Sequence, residues 1–122
     1  MSLGRTMPIL RMFDIAKARE FYLDFLGFEV AWEHRFAPDL PLYMAVQRDS
    51  VELHLSEHHG DATPGSAVRI AVTEIEAFHA DLLSKNYGFM RPGLETQPWG
   101  LREVAVTDPF GNRLIFFEPA SV

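Results

Sequence analysis

The chain has 122 residues, a net charge of −6, and hydrophobic and charged fractions of 48% and 23%, the make-up of a soluble globular protein with a sizeable core. Its acidic residues are dispersed and no basic footprint gathers, which argues against nucleic acid as a partner; the charge suits a cationic small molecule, and ordinary solubility accounts for it equally simply. No apolar run approaches the ~20 residues needed to span a membrane, and the absence of cysteine excludes disulfides, thiolate metal sites and a cysteine nucleophile, in keeping with a reducing cytoplasm.

In chain order, Pro8–Phe13 is a short apolar run that reads as a strand. Asp14 is a good helix N-cap. Ile15, Ala18, Phe21, Tyr22, Phe25 and Leu26 then recur at helical spacing, and Gly27 sits where a left-handed residue ends a helix. Phe28–Phe36 reads as an aromatic-rich strand, in which Trp32 and Phe36 alternate either into the core or towards a partner. Pro38 and Pro41 bracket a loop, and Leu42–Gln47 and Val51–Ser56 form a hairpin around Asp49-Ser50.

The polar stretch Glu57–Gly65 is a linker. After it the same order returns. Ala67–Val72 is a strand, Thr73 caps a helix running to Asn86, and Ile75, Phe78, His79, Leu82 and Leu83 lie on one side of that helix. Phe89–Gln97 is a strand broken by Pro92-Gly93. Trp99–Thr107 and Arg113–Glu118 are the last two strands, joined by a turn at Asp108-Pro109-Phe110-Gly111. The chain therefore reads as one α+β domain over residues 5–122, made of two tandem βαβββ modules (about 7–56 and 66–118) whose sheets form an incomplete, barrel-like wall around a cleft.

Two stretches carry a family resemblance: Asp14 with Ala18-Arg19-Glu20-Phe21-Tyr22 and Leu26-Gly27-Phe28, then Trp99-Gly100-Leu101-Arg102-Glu103 with Asp108-Pro109-Phe110-Gly111-Asn112. Together they resemble the vicinal oxygen chelate superfamily, which includes glyoxalase I, extradiol dioxygenases and fosfomycin and bleomycin resistance proteins. The resemblance implies the fold more strongly than an activity, because one fold hosts many functions. Metalloenzymes of that group use His, Gln or Glu at two strand positions in each module. Here the matching positions hold Met7, Glu52, Ala67 and Ile115, of which only Glu52 is a usable ligand.

Glu52 and His54 are two apart on a strand and share its cleft face, while Val51, Leu53 and Leu55 point under the helix. A metal site on Glu52 and His54, with His58 or His59 added, is the alternative reading, and it implies a glyoxalase- or dioxygenase-like enzyme. The favoured reading pairs Glu52 with an arginine of the same face: Arg11, Arg69 or Arg113. No nucleophile elbow and no phosphate-binding loop is present. The flat side chains Trp32, Phe36, Tyr43, Phe89 and Trp99 suit a wall for planar or cationic ligands.

Within the superfamily, the bleomycin resistance proteins are most similar. They are acidic, lack the metal, and hold a cationic glycopeptide drug in clefts between two subunits. Leu53-His54-Leu55-Ser56 ahead of an acidic, His-containing linker, and Trp99-Gly100 before the Asp108-Pro109 turn, carry that likeness. It implies a cytoplasmic homodimer that binds a bulky cationic aromatic compound through Trp99, Phe36, Tyr43, Trp32, Glu52, His54 and Arg11, with no cofactor, no catalytic residue and no membrane or nucleic-acid partner.

Overall fold

The structure is a computed structural model and describes residues 1–120. The chain runs β1 (Ile9–Arg11), α1 (Ile15–Arg19) continuing into a π-helical turn (Glu20–Phe25), β2 (Glu29–His34), β3 (Tyr43–Arg48), β4 (Val51–Ser56), β5 (Ala67–Ala71), α2 (Ile75–Ser84), β6 (Glu95–Thr96), β7 (Leu101–Thr107) and β8 (Arg113–Pro119). Its strands make two four-stranded sheets of the same design, β1-β4-β3-β2 and β5-β8-β7-β6. In each, the first strand pairs in parallel with the last and the other pairs are antiparallel. The expected order of two βαβββ modules is therefore the observed one, and neither sheet closes into a barrel.

One face of each sheet is covered by a helix. Leu10, Met44, Val46, Leu53 and Leu55 lie buried against Ala18, Phe21, Tyr22 and Phe25, and Val104, Val106, Leu114 and Phe116 against Ile75 and Leu82. The cap expected at the first helix is present: Asp14 accepts a hydrogen bond from Lys17 N at 2.9 Å. Gly27, at φ +76°, ends the helical segment, and a Cβ there would sit 3.1 Å from Arg48 Nη1, so close approach and backbone conformation both call for glycine. Arg48 in turn donates to Leu26 O at 2.6 Å and faces Asp81 of α2, tying the hairpin of module one to both helices.

Two expectations are corrected. The second helix is not capped by Thr73. Its N-cap is Glu74 in the left-handed region (φ 57°), and the carboxylate of Glu118 accepts from Glu74 N at 2.8 Å and Ile75 N at 3.2 Å. A side chain remote in sequence supplies the cap because β8 runs beside the helix start. We expect Glu118→Ala to lower stability by about 1 kcal/mol and Thr73→Ala to leave it nearly unchanged, read from urea midpoints. Equal losses would return the cap to Thr73. The second correction is the broken strand at Phe89–Gln97, which shrinks to Glu95–Thr96 because Pro92 and Gly93 interrupt pairing; Phe89 lies outside it.

The modules meet through the β7–β8 turn. Asp108 is buried and accepts from Phe110 N, Asn112 N, Asn112 Nδ2 and Tyr22 Oη. Asn112 Nδ2 also donates to Arg11 O at 2.8 Å, at the end of β1. Burial, and then the adjacent Asp108 carboxylate, hold the Tyr22 hydroxyl well above its usual pKa. The folded state thus keeps Tyr22 neutral while the unfolded chain ionises near pH 10. This stabilisation is complete below that pH and falls as pH rises above it. Tyr43 and Tyr87 are shifted in the same direction. Tyr22→Phe is expected to cost about 1–2 kcal/mol at pH 7 and to flatten, without abolishing, the alkaline loss of stability above about pH 10. An unchanged alkaline slope would contradict the assignment.

Candidate functional site

The open face of the first sheet carries the site. In the ladder, Ile9 lies beside His54, His54 beside Ala45, and Tyr43 between Ser56 and His34. Glu52 and His54 point to this face while Leu53 and Leu55 are buried on the other, as the strand parity predicts. Trp32 reaches it by a different route. Strand β2 shifts register between Val30 and Trp32, so that Val30 pairs with Val46 but Trp32 pairs with Ala45. Without that bulge at Ala31, Trp32 would lie opposite Met44, whose side chain is in the core. The bulge turns Trp32 and His34 outward and sends Glu33 to the helix side, where it forms an ion pair with Arg19.

Trp32 stacks on Tyr43 with ring centroids 5.6 Å apart and an interplanar angle of 11°. His54 packs edge-on to both, at 5.3 Å from each. His34 packs edge-on to Phe36 at 4.8 Å, and His58 approaches Phe36 from the linker. Trp32, His34, Phe36, Tyr43, His58 and Asp61 line an open recess of about 310 Å³. Trp32 is 45% exposed and Phe36 76% exposed, so large apolar rings stand uncovered around it. Asp61 is held by Ser56 Oγ at 2.7 Å and brings a carboxylate to the rim. Beneath the rings runs a hydrogen-bonded chain. Tyr43 Oη lies 2.6 Å from His54 Nδ1, and His54 Nε2 lies 2.7 Å from Glu52 Oε2. Burial raises the Tyr43 hydroxyl pKa, and the Asp61 and Glu52 carboxylates add to the effect.

The expected arginine partner of Glu52 is replaced by His54. Arg69 is taken by Glu103 at 2.8 Å and lies over the Phe117 ring. Arg11 lies over Phe13, and its buried Nε has no hydrogen-bond partner among the described residues. A residue two positions away on the same strand was nearer than any cross-sheet arginine, and parity alone did not rank the two. Ala67 and Ile115 fall on the open face of the second sheet and offer no donor atom; with Met7 and Glu52 they do not make a divalent-metal ligand set. Among the described residues no three His, Asp or Glu side chains converge as metal ligands.

The five predicted rings do not form one wall. Trp32, Phe36 and Tyr43 come together. Trp99 is 65% exposed in the turn between β6 and β7, on the other sheet, and lines no part of this recess. Phe89 packs edge-on to Tyr87 by the helices and belongs to a separate hollow with Lys17 and Glu20. A larger recess of about 500 Å³ lies between the Arg48–Val51 hairpin and α2, and marks the seam between modules. His34 and Asp61 are site residues that sequence reasoning missed. His34 has the same strand parity as Trp32 and was legible in principle; Asp61 is placed only by the folding of the linker.

Two like-ordered sheets, each with one face under a helix and the other open, define the class of fold in which paired βαβββ modules frame a ligand cleft. The chain belongs to the glyoxalase superfamily: residues 1–121 match the family described as glyoxalase superfamily protein. It is similar to the bleomycin-binding protein of bleomycin-producing Streptomyces verticillus, solved with copper(II)-bleomycin, at 30% identity over 100% of this chain and 99% of that one, with a TM-score of 0.69. It shares its fold with a bleomycin-binding protein complexed with bleomycin (22% identity, TM-score 0.74, covering 95% and 98%). The same holds for a bleomycin resistance determinant encoded on transposon Tn5 (22% identity, TM-score 0.75, covering 96% and 98%). No curated protein matches the chain. Among the described residues no helix is long and apolar enough to cross a membrane.

Proposed function

We propose that this protein binds and sequesters a bulky cationic aromatic small molecule of the bleomycin type, without a metal of its own and without chemistry. The observation that carries this reading is the stacked Trp32–Tyr43 pair, with Phe36 uncovered beside it and the Asp61 carboxylate on the rim. Flat rings offer stacking and cation–π attraction, and the carboxylate offers charge. The net charge of −6 draws a cation from a distance. The 30% identity to a protein solved with copper(II)-bleomycin supports the ligand class.

In this reading the protein is a cytoplasmic homodimer whose two modules act as one domain. Trp99, on the second sheet, then faces Trp32, Phe36 and Tyr43 of a second copy, and each cleft is completed across the two-fold axis. Arg11, beside Ser56 on the open face, meets the ligand through the end of its guanidinium, while Glu52 and His54 support the Tyr43 ring from below. Calorimetric titration with metal-free bleomycin should give micromolar or tighter binding that is the same with and without EDTA. Binding that vanishes on chelation and returns with zinc, nickel, iron or manganese would favour the metalloenzyme instead.

A further inference from the structure

The Tyr43–His54–Glu52 chain has a direction, and its end group sets it. A carboxylate carries no proton, so the contact from His54 Nε2 to Glu52 Oε2 at 2.7 Å requires the hydrogen on Nε2. A neutral imidazole then has a bare Nδ1, and the hydrogen in the 2.6 Å contact there comes from the Tyr43 hydroxyl. That hydroxyl stays protonated, since burial and then the Asp61 and Glu52 carboxylates raise its pKa. Its one proton is committed to His54. Towards any further partner the Tyr43 oxygen has lone pairs and no hydrogen. Besides Glu52 and Tyr43 themselves, the titratable and charged groups near the chain are His34 from β2 and His58 and Asp61 from the linker, which line the same recess, and Arg5 and Arg69, which share a hollow with Glu52.

We propose that Glu52 and His54 are positioning residues that fix Tyr43 as a hydrogen-bond acceptor, so that the recess selects aromatic cations bearing an N–H donor over cations of similar shape without one. The inference rests on the cationic-aromatic reading above and narrows it to a ligand class.

Two measurements on the full-length protein test this. Long-range 1H–15N spectra at pH 8 should show the ligand-free His54 ring protonated at Nε2 and bare at Nδ1; an Nδ1–H tautomer overturns the proposal. Calorimetry then compares 1-methyltryptamine, whose indole nitrogen carries a methyl group, with its N,N,N-trimethyl analogue, which keeps the ring and the charge but has no N–H at all. We expect 1-methyltryptamine to bind more tightly, with Tyr43→Phe lowering the ratio of the two affinities by about tenfold. Glu52→Gln, which keeps the ring and the hydroxyl but frees the tautomer, should lower it as well. Whatever preference survives in Tyr43→Phe belongs to Asp61. A ratio untouched by Tyr43→Phe, or equal binding of both probes to the wild type, overturns this proposal alone. Failure of both probes to bind overturns the cationic-aromatic reading with it.

Discussion

Asp108→Ala is expected to lower the unfolding free energy by about 3–5 kcal/mol, enough to unfold much of the protein near physiological temperature. Asp108 is 4% exposed and accepts from Tyr22 Oη at 2.6 Å, Phe110 N and Asn112 N at 2.8 Å each, and Asn112 Nδ2 at 2.9 Å. Truncation strands these donors where little water reaches, and each buried donor left without a partner costs about 1–3 kcal/mol, with incomplete additivity. The loss spreads, because Asn112 holds Arg11 O at the end of β1 and so links the second module to the first. Asp108→Asn keeps the shape but turns an amide donor towards other donors, and should cost an intermediate amount. Urea unfolding checks both; a loss under about 1 kcal/mol in the alanine variant would show that the turn is not the joint we describe.

Trp32→Ala is expected to weaken bleomycin binding by at least roughly thirtyfold, about 2 kcal/mol, with little change in stability. The ring is 45% exposed and rests on Tyr43, so its removal opens the wall of the recess without leaving a cavity in the core. Trp32→Phe should retain part of the affinity because it keeps a flat ring. The same calorimetric titration reads both, and thermal unfolding separates lost binding from lost fold. Wild-type affinity in Trp32→Ala would remove the aromatic recess from the account.

The fold was legible because its signals are local and repeated. The Asp14 cap, the apolar helix stripe from Ile15 to Leu26, Gly27, and the Asp108–Gly111 turn each act over a few residues. The π-helical turn at Glu20–Phe25 left no mark, since the apolar spacing of Phe21, Tyr22 and Phe25 fits an ordinary helix equally well. The site was legible by parity only where the ladder is regular, at Glu52 and His54. At Trp32 the bulge moved the side chain across the sheet, and no residue type announces it, since Ala31 is neither glycine nor proline. Partners distant in the chain were the other blind spot. The Glu118 carboxylate at the start of α2, and Asp61 beside the Phe36 and Tyr43 rings, depend on how separate elements pack.

The most direct test of the central claim uses the two tryptophans, Trp32 and Trp99, as reporters. Titration with bleomycin should quench their fluorescence saturably at micromolar drug, reaching one ligand per subunit, with a smaller signal change in Trp32→Phe. Unchanged fluorescence through micromolar drug would contradict the claim that this recess binds a bleomycin-type ligand.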